Sequence, residues 1–155
     1  MKLTHDNVFK EIERLNLKPS LQPETDQIHF VLDIKSNEVP VFTGIREESN
    51  LLQTLAYLPL QIADKTVSDT ARLLHLLNHE LDMPGFGMDE REKLIFYRCV
   101  IPCPEGELHD RVLEMYLSTT RLAVEAFLGA IAMITAGQTT VDEMFKNKKT
   151  ANNEQ

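Results

Sequence analysis

The chain has 155 residues, of which 43% are apolar, enough for one domain with a real core. Its 16 Lys and Arg against 24 Asp and Glu give a net charge of −8, and residues 19–125 alone carry 9 basic and 18 acidic side chains, a net −9. So acidic a body repels phosphate backbones, which argues against nucleic-acid binding and against anionic membranes, and favours a solubilising shell or a surface for basic partners.

In chain order, Thr4 to Leu17 has helical spacing: Val8, Phe9, Ile12 and Leu15 recur on one face, with Thr4 as cap and Lys18-Pro19 as stop. Gln27 to Lys35 alternates as a strand, with Ile28, Phe30, Leu32 and Ile34 on one face. Turns at Ser36-Asn37-Glu38 and Glu47-Glu48-Ser49-Asn50 separate it from strands at Val39 to Arg46 and Leu51 to Leu58. Pro40 places the start of the second of these strands at an edge or outside the ladder. Thr66-Val67-Ser68-Asp69 reads as a variant capping box opening a helix, with Leu74, Leu77, Asn78 and Leu81 on its core track. Pro84-Gly85 ends that helix, Gly85 suiting a left-handed cap. Phe86 to Met88 and Lys93 to Ile101 are two further strands around the turn Asp89-Glu90-Arg91-Glu92. The last large element runs from about Leu108 to Ala136, either as one helix or as two bent near Ser118-Thr119-Thr120.

The order α-β-β-β-α-β-β-α predicts an α+β fold, an antiparallel sheet with helices packed on it. Residues 1–137 form the predicted domain. Residues 138–155 are a polar tail, read as a short helix followed by disorder. No run of 18 apolar residues suggests a membrane span, and the N-terminus turns polar at once, unlike a secretory signal. Two cysteines, Cys99 and Cys103, make no disulfide framework, so the expected setting is cytoplasmic with reduced thiols.

Chemistry-bearing patterns are scarce. His75 and His79 share a helix face as a metal pair would, but the Glu of a zincin motif is missing and Arg72 opposes a cation there; we expect no metal and no cofactor. His5, His29 and His109 read as surface residues. Cys99 and Cys103 lie roughly 13 Å apart in an extended strand and read as buried, inert thiols. No serine-nucleophile or phosphate-loop motif is present, and the acidic clusters at Glu47-Glu48 and Asp89-Glu90-Glu92 sit in turns. No enzyme activity is expected.

Two surfaces stand out instead. From Ala126 to Ala136 the last helix carries no charge, and Gly129, Ala132 and Ala136 continue the track of the earlier polar stripe. A helix apolar all round needs cover all round, so Glu125, Gly129, Ala132, Met133 and Ala136 are the candidate homodimer interface. Val39, Val41, Thr43 and Ile45 are the candidate edge for a protein partner, with Leu52, Thr54 and Ala56 nearby. Arg98 shares a face with Leu94, Phe96 and Val100, at an edge, paired with an acid, or in a partner groove. Asn78 on the core track must be hydrogen-bonded and would tie its helix end to the following loop. A rival reading is a small-molecule sensor or an enzyme, with Met115, Tyr116, Phe127 and Met133 lining a pocket under the last helix.

Several segments together resemble YbjN-domain proteins and the wider type III secretion chaperone-like fold. They are the meander ending Leu55-Ala56-Tyr57-Leu58-Pro59, the helix reaching Leu76-Leu77-Asn78-His79-Glu80, Gly85-Phe86-Gly87-Met88-Asp89, the strand Leu94-Ile95-Phe96-Tyr97-Arg98, and the break at Ile101-Pro102. The resemblance covers roughly residues 4–137 and is strongest from Asn78 to Pro102. It implies an acidic, commonly homodimeric protein that acts as a sensory-transduction regulator or a secretion-chaperone-like adaptor for an extended protein cargo. It implies no catalytic residues.

Overall fold

The computed structural model describes residues 1–46 and 50–153, with side chains through residue 150. Six strands form one antiparallel sheet: β1 (Ser20–Gln22), β2 (Gln27–Ile34), β3 (Asn37–Arg46), β4 (Leu51–Tyr57), β5 (Phe86–Asp89) and β6 (Leu94–Pro102), in the order β1-β2-β3-β4-β6-β5. Four helices accompany them: α1 (His5–Arg14), α2 (Val67–Glu80), α3 (Val112–Thr135) and α4 (Val141–Asn153). The α+β class and the predicted order hold, with a short extra strand after Pro19 and a helix in the polar tail. The chain divides into two compact units, Met1–Pro59 with Phe96–Glu125, and Leu60–Ile95 with Ala126–Gln155.

The first unit is built on the alternation of its strands. Ile28, Phe30, Leu32 and Ile34 of β2, Val39 and Val41 of β3, Leu52 and Ala56 of β4, and Tyr97, Cys99 and Ile101 of β6 are all buried. Each large side chain among them contributes about 1.5–3 kcal/mol by leaving water. Val8 and Ile12 of α1 and Leu113, Leu117 and Val124 of α3 are buried as well, and Thr120 of α3 meets the Cys99 thiol at 3.5 Å. The inner face of the sheet is therefore the core face. Thr4 caps α1 as its sequence position predicts, accepting from the Asn7 amide at 3.2 Å. The β2–β3 turn centres on Lys35 and Ser36, both at positive φ, one residue earlier than the spacing predicts. Asp33 closes it by accepting from the Ser36 amide at 3.1 Å. Of the predicted turn at 47–50, residues 47–49 lie outside the described residues.

In the second unit Leu73, Leu74 and Leu77 of α2, Ile131 and Ile134 of α3, and Val141 of α4 are buried. Thr66 does not form a capping box. Its hydroxyl lies 2.9 Å from the carbonyl oxygens of both Ala63 and Thr135, and no side-chain cap closes the start of α2. Asp69, the expected box partner, accepts instead from the Val141 amide at 3.3 Å, at the start of α4. A true capping box appears at 140–143: Glu143 donates its amide to the Thr140 hydroxyl at 3.2 Å, and Thr140 donates its amide to the Glu143 carboxylate at 3.1 Å. Those bonds hold the Glu143 carboxyl below its ordinary pKa.

α3 is a single helix of 24 residues, with no break near Ser118-Thr119-Thr120. By length and composition it could cross a membrane, although Arg121 and Glu125 divide its apolar run. Its buried side, from Leu113 to Ile134, is the side a core helix of a globular fold uses.

Candidate functional site

The thiols lie in the core. Cys99 and Cys103 are free and buried, and burial pushes both thiols up from the ordinary cysteine value. A raised pKa disfavours the thiolate that nucleophilic chemistry needs. Tyr97, also buried, is pushed up to about 12 by desolvation. His75 and His79 are exposed on α2, and among the described residues no group of three or more His, Cys, Asp or Glu could hold a metal ion. His5 is not isolated: its Nε2 lies 3.0 Å from the Asp26 carbonyl. The acids of the 89–92 turn are structural in part, since the Asp89 carboxylate accepts from the amides of Arg91 and Glu92.

The expected pocket residues do not converge. Met115 and Met133 are exposed at 57% and 44%, so they face away from the core, while Tyr116 and Phe127 are half-buried. Phe127 packs edge-on against Phe86, 6.2 Å between ring centres. The described clefts of the first unit hold about 160 to 320 Å³ and open widely to solvent. These are small for a drug-sized ligand.

The candidate binding edge requires correction. β3 lies inside the sheet between β2 and β4: Val41 and Thr43 are paired on both sides, Val39 with β2 only and Ile45 with β4 only, so this strand offers no continuous free ladder. Val39, Val41 and Thr43 point inward and are buried; Ile45 is half-buried. Leu52, Thr54 and Ala56 are buried too. Pro40 sits opposite Val31 on β2, and pairing with β4 begins only at Val41, so the donor its ring removes falls where β3 is paired on one side alone. The outer strands are β1 and β5.

The other face of the same strands is open. β2, β3, β4 and β6 turn His29, Val31, Pro40, Phe42, Leu55, Tyr57, Phe96, Arg98 and Val100 away from the core. Val31 and Val100 are each 40% exposed. Register puts Phe42 opposite Leu55, Leu55 opposite Arg98, and Tyr57 opposite Phe96. Four rings run diagonally across the four strands: His29 to Phe42 at 4.9 Å, Phe42 to Tyr57 at 5.7 Å, and Tyr57 to Phe96 at 6.2 Å, the last two edge-on. Cross-strand pairs of this kind stabilise the sheet, but their outer edges remain half-exposed. Arg98 is exposed at one side of the face, and Asp33 and Glu38 stand opposite each other at another. From the sequence His29 reads as a surface residue, and Arg98 as a charge at an edge, paired with an acid or in a partner groove. The apolar residues on the second face of β3, β4 and β6, from Pro40 and Phe42 to Leu55, Tyr57, Phe96 and Val100, are the signal that identifies this surface, because a solvated sheet face is expected to be polar.

The candidate dimer residues fall on the later part of α3 and just after it. Gly129, Met133 and Ala136 are exposed and Ala132 is half-buried. A side chain at Gly129 would meet nothing within 4 Å. Glu125, also exposed, lies 3.9 Å from the Lys35 ammonium.

An antiparallel sheet with an inner core face and an apolar, aromatic outer face defines a protein of the α+β class. The family model YbjN, described as "Putative bacterial sensory transduction regulator", matches residues 4–145, and the chain belongs to that family. No curated protein matches the sequence.

Proposed function

We propose that this YbjN-family protein is a non-catalytic cytoplasmic regulator that works by docking an extended segment of another protein on the open face of its sheet. The observation that carries the reading is the ring diagonal from His29 to Phe96, half-exposed on a face where solvation alone calls for polar side chains. Elevated thiol pKa values and shallow clefts give the alternative of a sensor or enzyme less to build on. The test is affinity capture from native lysate with wild type and with Tyr57→Asp. A partner retained in stoichiometric amount by wild type and lost by the variant is expected. Equal retention by both, or nothing retained across several growth conditions, overturns the reading.

The working unit in this proposal is a homodimer formed through the uncharged stretch of α3. Gly129 and Ala136 are exposed and Ala132 half-buried, small enough for a second backbone to come close, while Met133 supplies apolar area. Sedimentation at micromolar concentration is expected to give twice the 17.7 kDa chain mass. Because a side chain at Gly129 enters open space, Gly129→Arg keeps the fold and gives a monomer. A monomeric wild type rules the dimer out.

A further inference from the structure

We propose that two copies of the chain pair through antiparallel α3 helices in one register, with Ala126 against Gly129 at the crossing and Leu122 against Met133 on either side of it. This rests on the α3 homodimer above and adds the residues, direction and register of the fit.

The exposed side of α3 has the period of a helix seam. One side of this continuous helix is fixed in the core by Leu113, Leu117, Val124, Ile131 and Ile134. On the opposite side Met115, Leu122, Gly129 and Ala136 recur every seven residues, and all four are exposed, Leu122 at 68%. Thr119, Ala126 and Met133 each stand four residues after one of the first three. Steps of four and three are those of the a and d positions of a coiled coil. No charged residue stands on the track. Its one hydroxyl, that of Thr119, already donates to the Met115 carbonyl at 3.0 Å and needs no partner across the seam. A helix whose outer side faces water alone carries polar residues there.

Side-chain size sets the direction. Along the sevenfold positions Met115 and Leu122 are large, and Gly129 and Ala136 are small. A parallel pair stacks each residue on its own copy, which leaves a void at Gly129 between layers held apart by Leu122 and Met133. An antiparallel pair with its two-fold axis between Phe127 and Leu128 fills each layer differently. Ala126 meets Gly129 near the axis, so the two backbones come close. Leu122 meets Met133 on both sides of that contact, and Thr119 meets Ala136 beyond it. Within one chain the space beside Gly129 is open, with nothing within 4 Å of a β-carbon placed there.

Charge sets the register. Sliding the second copy by one heptad, so that Met115 faces Met133, brings the two Glu125 carboxylates side by side across the axis, where like charges repel. In the proposed register Glu125 lies beside Ala132 of the second copy and stays with Lys35 of its own chain, 3.9 Å away. Sliding the other way runs the seam off α3, which ends at Thr135. The paired stretch is short, but α3 is already ordered by its buried side, so pairing does not have to form the helix.

The test combines sedimentation with thiol cross-linking on the full chain. Leu122→Glu is expected to weaken the dimer by about tenfold or more. Met115→Glu should leave it unchanged, because residue 115 lies past the end of the second α3. Both positions are exposed in the single chain, and circular dichroism checks that each variant is folded. For direction, Leu122→Cys and Met133→Cys are treated with a short bis-maleimide; the buried Cys99 and Cys103 stay out of the reaction. Like positions lie about 16 Å apart along the axis in this register, so neither variant alone should cross-link, whereas a mixture of the two should. Cross-linking of Leu122→Cys to itself shows a parallel pair, and loss of the dimer in Met115→Glu shows another register; either overturns the proposal and leaves the α3 dimer standing. A Leu122→Glu dimer of full strength overturns it too, and the α3 dimer then stands only if Gly129→Arg is monomeric. A monomeric wild type overturns both readings.

Discussion

Replacing Asn78 with alanine is expected to lower the unfolding free energy by about 3 kcal/mol, from three lost hydrogen bonds at roughly 1 kcal/mol each. The Asn78 amide nitrogen donates to the Phe86 carbonyl at 2.8 Å. Its carbonyl oxygen accepts from the amides of Gly85 at 3.2 Å and Phe86 at 2.9 Å. One side chain near the end of α2 thus holds the residues that start β5. Alanine leaves two donors and one acceptor without their partner in a half-buried place, where water restores only part of the loss. For a chain of this length the melting temperature should fall by roughly 10 °C. Hydrogen exchange gives the local readout: the Gly85 and Phe86 amides should lose protection before the centre of β6 does. A loss under about 1 kcal/mol with those amides still protected would show that water replaces the side chain and that Asn78 does not hold the loop.

Asn78 also shows what kind of feature is legible in a sequence. An amide on the core track of a helix has to find partners nearby, and the adjacent loop is the nearest source of backbone groups, so its role follows from burial alone. The strands were legible for a similar reason. Ile28, Phe30, Leu32 and Ile34 alternate so strictly that one register satisfies them.

Where a strand sits in its sheet is set by which strands find each other, and local pattern does not encode that. Val39 to Ile45 reads as an edge, and at Pro40 only β2 is indeed paired, yet from Val41 to Thr43 both β2 and β4 flank the strand and β1 and β5 are the outer strands. Capping pairs show the same limit at shorter range. Thr66 and Asp69 have box spacing, but both are drawn to groups distant in sequence, the Thr135 carbonyl and the Val141 amide. Thr140 and Glu143 bond to each other and to near neighbours in the chain, Thr139 and Met144, and form the box that their spacing allows. The open face lay between these cases. Its residues were visible as strand alternation, whereas its exposure depends on both helices of the first unit choosing the other side.

Gly137→Val is the second large effect, an expected loss of about 2 kcal/mol. Gly137 ends α3 with φ at +72°. Its amide donates to the Ile134 carbonyl at 3.0 Å, and the next amide, of Gln138, reaches back to Met133 at 3.0 Å. This pair of bonds satisfies carbonyls that the last turn of a helix otherwise leaves open. A side chain with a β-carbon pays roughly 1–2 kcal/mol in the left-handed region, and a β-branched one is disfavoured further. Space is limited as well: a β-carbon at 137 would sit 3.4 Å from Cε of Lys65 and 3.5 Å from Cγ2 of Thr66. The lysine can swing away, but Thr66 is held through its hydroxyl at the Ala63 and Thr135 carbonyls, so strain at 137 reaches the start of α2. Gly85, read from the sequence as the left-handed cap of α2, is not among the positive-φ residues, and Gly85→Ala is the matched comparison. Urea denaturation of the two variants should show the larger loss for Gly137→Val. The opposite order would mean that the end of α3 refolds around a new residue and that its geometry does not depend on the glycine.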